Sequence, residues 1–359
     1  MTARVLIMAG GTGGHVFPAL AVADELRLQN NDVYWMGTEH GIEAKLVPAS
    51  GYPISYIHVK CLRGNGWKGW LLAPFKLLKA VVEAIQAIRK IKPDVVLGLG
   101  GFASGPGGFA AWLLRKPLVI HEQNAIPGLT NRMLAKFAKH VLQGFPNSFT
   151  SAKAVWVGNP VRTEIESIAT PEDRFKTRTS AIRILVLGGS LGAKSLNRLV
   201  PEALALIGDE IPFEVKHQCG ERHLSDCQKN YNNTQVNADV MAFIDDVAAA
   251  YAWADLVICR AGALTVAELS AAGIGALLIP YPYAVDDHQT HNASALVTAG
   301  AAKLMSERTL TSKALLDELR PIMSDRKTLL AMANAARSQA KLGTAKVVAA
   351  ICLEEVAHV

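Results

Sequence analysis

A glycine-rich run close to the start of the chain constrains the fold more than any other feature. Residues 5–9 are the apolar stretch VLIMA, residues 10–15 read GGTGGH, and residues 17–26 have a helical pattern. An apolar strand that turns through glycines into a helix is the first unit of a Rossmann-like domain. Glycines also leave backbone N–H groups open to an anion at a helix N-terminus. The run therefore predicts a phosphate- or pyrophosphate-binding loop, with a tight turn that binds no ligand as the alternative.

His15 lies at the mouth of this loop, among glycines that leave it little to pack against. A neutral imidazole can take a proton from an attacking hydroxyl near neutral pH. We therefore expect His15 to act as a general base, and a purely structural histidine is the alternative.

Apolar β-branched runs alternate with helical patterns along most of the chain. In the first half the predicted strands are residues 32–37, 53–59, 94–100, 117–122, 140–145 and 154–159. A second strand, glycine loop and helix begin at residue 184, and the later predicted strands are residues 212–217, 238–243, 255–259 and 276–280. Buried strands separated by helices form parallel sheets. The chain is therefore predicted to be α/β, with two Rossmann-like domains.

A polar, charged stretch at residues 163–181 separates the two patterns and is predicted to be a linker. The last helical stretch, residues 344–356, is apolar and has no obvious place on the second sheet, so we expect it to return to the first domain. The predicted domains are residues 1–162 plus 342–359, and residues 163–341.

Composition narrows the class of protein. Half of the 359 residues are hydrophobic, which is enough for two buried cores. The N-terminus has no signal-peptide pattern and no run of 18 apolar residues occurs, so we expect a cytoplasmic or peripheral protein. The five cysteines include no C-x-x-C pair, as is typical of reduced thiols. A zinc site could be drawn from His217, Cys219, His223 and Cys227, but this spacing fits no standard zinc finger, and we expect no metal.

Further loops are predicted at the same sheet edges. A third glycine run, residues 100–108, follows a predicted strand and should lie beside the first glycine loop. In the second half, residues 260–268 read RAGALTVAE after a strand. Thr265 and Glu268 have the spacing of a capping box, and equally the N–H groups near Thr265 could hold a phosphate while Glu268 binds a ribose diol. Both interpretations stay open at this point, and a polar block follows at residues 286–292.

These motifs together resemble the MurG family, the bacterial glycosyltransferases that complete the lipid-linked peptidoglycan precursor. The similar segments, in order, are GGTGGHVFPALAVA at 10–23, CLRG at 61–64, GGFASGPGG at 100–108, HEQN at 121–124, GNPVR at 158–162, GGSLGA at 188–193, FIDD at 243–246 and RAGALTVAE at 260–268. The resemblance covers nearly the whole chain. It implies a GT-B fold, in which two Rossmann-like domains face a cleft and the C-terminal helix returns to the N-terminal, acceptor- and membrane-binding domain.

The resemblance also implies the reaction. N-acetylglucosamine moves from UDP-GlcNAc to the C4 hydroxyl of undecaprenyl-pyrophosphoryl-MurNAc-pentapeptide, which converts lipid I to lipid II with inversion in peptidoglycan synthesis. The implied place is the cytoplasmic face of the inner membrane. The implied partners are UDP-GlcNAc, lipid I, the anionic membrane surface and other proteins of cell-wall synthesis, cell shape and cell division, with no cofactor and no nucleic acid.

Site residues follow from the same motifs. The catalytic candidates are His15 and, as a second possible base, Glu122. The implied substrate contacts are Thr12, Gly13, Gly14, Asn124, Arg162, Ser190, Ile244, Ala263, Leu264, Thr265, Val266, Ala267, Glu268 and Gln289. Two positions depart from the family pattern: His288 stands where many members have glutamine, and Leu191 replaces a common glutamine.

Other functions fit parts of the sequence. A nicotinamide-dependent oxidoreductase would explain two glycine loops, but neither loop reads G-x-G-x-x-G. A nucleic-acid-binding protein would explain a pI near 9.0, but no RNA-binding motif is present. A sugar-nucleotide epimerase of the same fold is the nearest enzymatic alternative.

The positive charge is concentrated in one stretch. Residues 60–92 contain eight Lys or Arg and one acid, a net of +7, whereas the whole chain carries +6. The same stretch contains Trp67, Trp70 and Phe75, which are typical of interfacial segments. We therefore expect residues 67–79 to lie on the membrane surface. The alternative is that the helical spacing from Leu77 to Ile88 packs on the first sheet.

Overall fold

The computed structural model describes residues 2–59, 66–189 and 191–357. It divides into two compact units, Met1–Arg162 with Gly343–Val359, and Thr163–Leu342. The segment CLRG at 61–64 and Ser190 lie outside the described residues.

Within these ranges, the first unit contains a parallel sheet of seven strands in the order β3-β2-β1-β4-β5-β6-β7. The strands are β1 Arg4–Ala9, β2 Asp32–Gly37, β3 Ile54–Tyr56, β4 Val95–Gly100, β5 Leu118–Glu122, β6 His140–Gln143 and β7 Ala154–Trp156. The helices are α1 Gly13–Leu28, α2 Glu43–Ala49, α3 Gly66–Ile91, α4 Ser104–Leu113 and α5 Leu129–Leu134. The predicted α/β pattern is confirmed in this half.

Both faces of this sheet are buried, which explains why its strands read as continuous apolar runs. In β1, Val5 and Ile7 pack with α1 on one face, whereas Leu6 and Met8 pack with α3 and α4 on the other. Adjacent side chains therefore alternate between two cores, and neither core leaves room for a polar residue at the centre of β1.

The second unit contains, in the described part of the chain, a parallel sheet of six strands in the order β10-β9-β8-β11-β12-β13. The strands are β8 Ile182–Leu187, β9 Phe213–Gln218, β10 Asp239–Met241, β11 Leu256–Cys259, β12 Gly275–Leu278 and β13 Ala302–Leu304. The helices are α6 Thr163–Glu166, α7 Pro171–Lys176, α8 Lys194–Ala205, α9 Leu224–Thr234, α10 Val247–Trp253, α11 Ala263–Ala272, α12 His288–Thr298, α13 Ser312–Met323 and α14 Arg326–Ser338. The edge strand β13 was not predicted, because its sequence AKL is short and contains no β-branched residue.

The charged stretch at residues 163–181 is not the linker that its composition suggested. It forms α6 and α7, and Arg174 is buried, with Nη1 donating to the Ala272 carbonyl at 2.7 Å. Burial lowers the pKa of Arg174 to about 10. Arg178 is also buried and donates to the Ala254 carbonyl at 2.7 Å. Composition misled here because these charges face backbone carbonyls of the second unit rather than solvent.

The last helix, α15 Thr344–Ala357, packs on α1 in the first unit. The Thr344 hydroxyl donates to the Val157 carbonyl at 2.9 Å, and Glu355 pairs with Lys139 and with His140 at 2.8 Å. Burial alone would raise the pKa of Glu355, but the hydrogen bonds from Lys139 and His140 outweigh burial and lower it. The helix is thus held at both ends.

Candidate active site

The two glycine loops of the first unit lie side by side, as predicted, because β1 and β4 are neighbours in the sheet. A Cβ placed on Gly101 would lie 2.3 Å from the Gly10 carbonyl oxygen, so this close approach excludes a side chain. Gly100 has a positive φ of 102° and faces the His15 ring. A Cβ on Gly100 would lie 3.0 Å from His15 Nε2. The loops therefore form one surface at the carboxyl ends of the strands.

The four glycines of the first loop have different roles. A Cβ on Gly10 would lie 2.4 Å from Glu43, and a Cβ on Gly13 would lie 3.0 Å from Phe17, so both glycines make room for protein atoms. Gly11 has a φ of +87° and nothing within 4 Å of its Cβ position. At Gly14 the nearest atom is the Thr12 hydroxyl at 3.8 Å. Among the described residues, the backbone therefore borders open space at Gly11 and has only an ordinary contact at Gly14.

His15 is half-buried in the first turn of α1, and its Nδ1 lies 3.1 Å from the Thr12 hydroxyl. Thr12 is the N-cap residue, but its side chain does not cap the helix. In the tautomer in which Nδ1–H donates to Thr12, the basic nitrogen is Nε2. A base with a defined orientation therefore stands at the edge of the glycine loop.

Glu122, the second candidate base, is buried at the end of β5 and accepts four hydrogen bonds. Its Oε1 accepts from the Asn124 backbone at 2.9 Å and the Asn124 side chain at 3.2 Å. Its Oε2 accepts from the Gly128 backbone at 3.1 Å and the Asn131 side chain at 2.9 Å. A carboxylate has about four acceptor positions, so these donors fill it. In this arrangement Glu122 orders the loop that contains Asn124.

A buried polar network supports the same loop. His121 Nε2 lies 2.8 Å from the Gly158 carbonyl, and Asn159 donates to the Gln123 carbonyl at 3.0 Å. Burial lowers the pKa of His121 to about 4, although its bond to Gly158 opposes the shift, so the ring is neutral at physiological pH. Arg162 follows this segment and stacks over the Phe17 ring at 5.3 Å.

In the second unit the glycine loop at residues 188–193 follows β8. The Gly189 N–H donates to Gln218 Oε1 at 3.1 Å, and Gln218 Nε2 donates back to the Gly189 carbonyl at 3.0 Å. A Cβ on Gly192, whose φ is +76°, would lie 2.2 Å from the Cys219 carbonyl oxygen. The loop is thus fixed by the end of β9, and the side chain of Leu191 is exposed.

The residues that could have been drawn as a zinc site are used otherwise. His217 Nδ1 lies 2.9 Å from the Tyr231 hydroxyl and its Nε2 lies 3.1 Å from Asn197 Oδ1. Burial lowers the pKa of His217 to about 3. Among the residues that the structure describes, no group of three or more His, Cys, Asp or Glu could hold a metal ion. Cys219 and Cys227 are free, buried thiols.

The loop after β11 contradicts one of the two interpretations of Thr265 and Glu268, the capping box. Helix α11 begins at Ala263, its N-cap is Gly262, and no side chain caps it. Thr265 therefore lies inside the first turn, and the capping-box interpretation is wrong. The N-terminal N–H groups of α11 thus have no side-chain cap, and the buried Glu268 accepts a hydrogen bond from the Tyr251 hydroxyl at 3.1 Å.

Residues around Gln289 complete this edge of the second sheet. Gln289 is the second residue of α12, and its Oε1 accepts a hydrogen bond from the Tyr281 N–H at 2.9 Å. The two residues before α12, Asp286 and Asp287, have positive φ angles of 53° and 50°. Arg260 bonds Ser195 at 3.4 Å and Glu307 at 2.5 Å, which links this edge to the start of α8.

The two halves of the chain match two domains of one glycosyltransferase family. Residues 5–143 match the glycosyltransferase family 28 N-terminal domain, and residues 183–348 match the glycosyltransferase family 28 C-terminal domain. A Nitrosococcus oceani protein, UDP-N-acetylglucosamine--N-acetylmuramyl-(pentapeptide) pyrophosphoryl-undecaprenol N-acetylglucosamine transferase, is 56% identical over 355 residues, 99% of each chain. The crystal structure of Acinetobacter baumannii MurG is 42% identical, with a TM-score of 0.84 over 98% of this chain and 99% of its own.

The chain belongs to the MurG family. CalG4, the calicheamicin glycosyltransferase, has a TM-score of 0.67 over 100% of this chain and 99% of its own at 15% identity, and this likeness concerns the fold alone. The predicted GT-B fold with two Rossmann-like domains is confirmed.

The residues expected from the MurG pattern divide between the units. The first unit contains Thr12, Gly13, Gly14, His15, Glu122, Asn124 and Arg162. The second unit contains Ile244, Ala263, Leu264, Thr265, Val266, Ala267, Glu268 and Gln289, and Ser190 lies outside the described residues. Within the first unit, the side chains of His15 and Asn131 both border Gly100, and Asn131 donates a hydrogen bond to Glu122 at 2.9 Å.

Sequence analysis missed the buried polar residues that hold these loops: Glu43, Asn131, Gln218 and Tyr251. None belongs to a glycine loop, and Glu43 and Gln218 lie 32 and 29 residues from the glycines that they bond. For Glu43 a signal was present, because glycines stand at 37 and 41 and leave unusual room around an acid.

Proposed function

We propose that this chain transfers N-acetylglucosamine from UDP-GlcNAc to the C4 hydroxyl of lipid I in peptidoglycan synthesis. The observation that carries the proposal is the 56% identity to a transferase named for that reaction. This identity extends over 355 residues and so includes the loops of both units. The second unit supplies the features that a nucleotide sugar requires, and the first supplies a candidate base.

The donor binds through the second unit. The N–H groups at the start of α11 and in the loop 188–193 hold the UDP diphosphate, and Arg162 adds a positive charge that stabilises it as it leaves. Glu268 accepts hydrogen bonds from the ribose hydroxyls, and Gln289 contacts the sugar.

His15 acts on the acceptor. As the C4 hydroxyl oxygen forms its bond to the anomeric carbon, its proton passes to His15 Nε2, and the bond between that carbon and the diphosphate oxygen breaks with its electron pair leaving on UDP. One displacement of this kind inverts the anomeric configuration. We assign the base to His15 rather than Glu122, because four donors already occupy the Glu122 oxygens.

One assay separates the candidate functions. Incubation of the purified chain with UDP-GlcNAc labelled in the sugar, with and without a lipid-pyrophosphate MurNAc-pentapeptide acceptor, should move label to the lipid only when the acceptor is present. An epimerised sugar nucleotide formed without acceptor would favour an epimerase, and oxidation of a nicotinamide cofactor would favour an oxidoreductase; either result without transfer would refute the proposal.

We also propose that the first unit binds the cytoplasmic face of the inner membrane. Residues 67–79 belong to the single helix α3, so they are not a separate segment before it. Ile88 packs in the core of the first unit, as the alternative predicted, and Val81 is buried, but Phe75 is 72% exposed and Leu78 is 63% exposed. The core therefore accounts for one face of α3 and leaves an apolar face uncovered.

Helices α4 and α5, which pack on the same side of the sheet, extend this surface. Trp112 stacks with Phe137 at 4.8 Å and with Phe109 at 5.5 Å, and is still 45% exposed. Exposed basic residues accompany these rings, namely Lys76, Lys79, Arg115, Arg132 and Lys136. Aromatic and aliphatic groups mixed with cations suit an anionic lipid surface. No helix in the described ranges is long and apolar enough to span a membrane.

Each basic residue near an anionic surface contributes about 1 kcal/mol. The double variant Lys76→Glu/Lys79→Glu should therefore lose most co-sedimentation with phosphatidylglycerol vesicles, and binding of the unaltered chain should fall as salt rises. Lys313→Glu/Lys327→Glu in the second unit is the matched control. Equal loss of activity on lipid I and on a short-chain soluble acceptor would show that the two lysines serve folding or catalysis instead.

A further inference from the structure

A buried carboxylate ties the first glycine loop to the end of β2. Glu43, at the start of α2, is fully buried. Its Oε2 accepts from the Gly11 N–H at 2.9 Å, while its Oε1 accepts from the Thr38 N–H at 3.0 Å and the Thr38 hydroxyl at 2.7 Å. Three donors from two segments therefore converge on one side chain.

Three glycines enclose this carboxylate. A Cβ on Gly10 would lie 2.4 Å from its Oε1, a Cβ on Gly37 would lie 2.8 Å from its Cγ, and a Cβ on Gly41 would lie 1.9 Å from its Oε2. Any side chain at these positions would displace the carboxylate from its donors. Gly10 is thus explained by Glu43 and not by a ligand.

The contacts of Glu43 in the described part of the chain include no ion pair. Among the described residues, no Lys, Arg or His forms an ion pair with it. Burying a carboxylate is costly unless hydrogen bonds compensate, and an apolar side chain commonly packs as well in such a place. Core packing alone therefore does not require an acid at this position.

We propose that Glu43 is a positioning residue for the transfer reaction, an inference that rests on the proposed role of His15. Glu43 fixes the backbone at Gly11, and with it Thr12 and His15, which lie one and four residues further on. Its carboxylate accepts from the Gly11 N–H and places a negative charge beside the loop, and this charge opposes the approach of a phosphate. The first glycine loop therefore orients a base, whereas the sequence alone suggested an anion-binding loop.

The test is Glu43→Gln, which keeps the shape but places an amide NH₂ against at least one of the donors. Displacing a reacting group by about 1 Å can cost 10²-fold. We expect kcat to fall by about 10- to 10²-fold, with the KM for UDP-GlcNAc within about twofold of the original value. Amide hydrogen exchange in a peptide that contains residues 10–15 should become faster. Glu39→Gln, an exposed acid in the same loop as Thr38, is the matched control and should change neither quantity.

Unchanged kcat and unchanged exchange in a folded Glu43→Gln protein would overturn the proposal. If that variant does not fold, Thr38→Val decides, because it removes one hydroxyl donor and leaves the bond to Gly11: a smaller loss of kcat supports the proposal, and full activity with unchanged exchange refutes it. If His15→Ala keeps its kcat, the base assignment fails, and faster exchange at residues 10–15 in Glu43→Gln still tests separately whether Glu43 fixes the loop.

Discussion

The two units hold equivalent glycine loops with chemically different side chains. In the first unit the N–H of the second glycine, Gly11, donates to the Glu43 carboxylate at 2.9 Å. In the second unit the N–H of the second glycine, Gly189, donates to the Gln218 amide at 3.1 Å. Both acceptors are buried, and both loops follow the first strand of a parallel sheet. The equivalent N–H group is thus bound by an anion in the first unit and by a neutral amide in the second.

The difference agrees with the task that we propose for each unit. A buried negative charge against a loop opposes the approach of a diphosphate. The neutral Gln218 amide accepts from the Gly189 N–H without adding a charge that would repel a diphosphate bound by this unit. The glycine pattern alone therefore does not distinguish a nucleotide loop from a loop that positions a base. The charge of the side chain that accepts from the second glycine, Glu43 or Gln218, distinguishes the two kinds of loop.

The largest effect is expected for the base in the first unit. His15→Ala removes the proton acceptor, and loss of general-base catalysis typically lowers kcat by about 10²- to 10⁴-fold. Steady-state kinetics should show this loss with the KM for UDP-GlcNAc almost unchanged. A lower melting temperature together with an intact kcat would instead assign His15 to structure.

The next largest effect tests the neutral anchor of the second unit. Gln218→Glu places a negative charge beside the loop 188–193, where it repels the diphosphate, so UDP should bind about 10- to 10²-fold more weakly by calorimetry. Gln228→Glu, on the exposed face of α9, adds the same charge elsewhere in this unit and serves as the control. If Gln218→Glu and Gln228→Glu bind UDP equally tightly, the charge of the group beside the loop does not decide whether the loop binds UDP.

A smaller effect is expected at the ribose. Hydrogen bonds to a charged group contribute about 1.5–3 kcal/mol, so Glu268→Ala should weaken UDP binding by at least tenfold. Competition by inorganic pyrophosphate, which has no ribose, should be unaffected. Parallel losses for both ligands would mean that Glu268 supports the fold of α11 rather than the ribose.

The smallest effect concerns the stability of the first unit. The pKa of Glu355 is lowered in the folded chain, so the stabilisation is present above the unfolded-state value of about 4.3 and is lost as pH falls through the lower folded-state pKa. Glu355→Gln should lower the free energy of unfolding of the first unit by about 1–3 kcal/mol at pH 7. The difference from the unaltered chain should shrink towards acid pH in thermal unfolding, and a constant difference would show that charge is not involved.

The sequence predicted the features that depend on local pattern. The apolar run of β1, the glycines after it and the helix α1 are adjacent in the chain, so their order alone indicated a Rossmann-like unit. The capping box at Thr265 failed although its spacing was correct, because α11 already begins at Ala263. The charges of Arg174 and Arg178 suggested a solvent-exposed linker, but both side chains are buried and donate hydrogen bonds to backbone carbonyls.

The site was predicted less completely than the fold. His15 was visible among glycines, but nothing in the spacing of HEQN shows that four donors would fill the Glu122 carboxylate. Glu43 and Gln218 lie about thirty residues from the glycines that they hold, and such pairings exist only once the strands are side by side. Short-range motifs thus locate the loops, and long-range polar contacts decide what the loops do.

The most direct test of the account is the dissociation constant of UDP for His15→Ala and Gln218→Glu, measured by calorimetry beside their kcat values. If the base belongs to the first unit and donor binding to the second, His15→Ala should bind UDP as tightly as the unaltered chain while losing kcat, and Gln218→Glu should bind UDP about 10- to 10²-fold more weakly. Weakened UDP binding in His15→Ala, with unchanged binding in Gln218→Glu, would contradict the account.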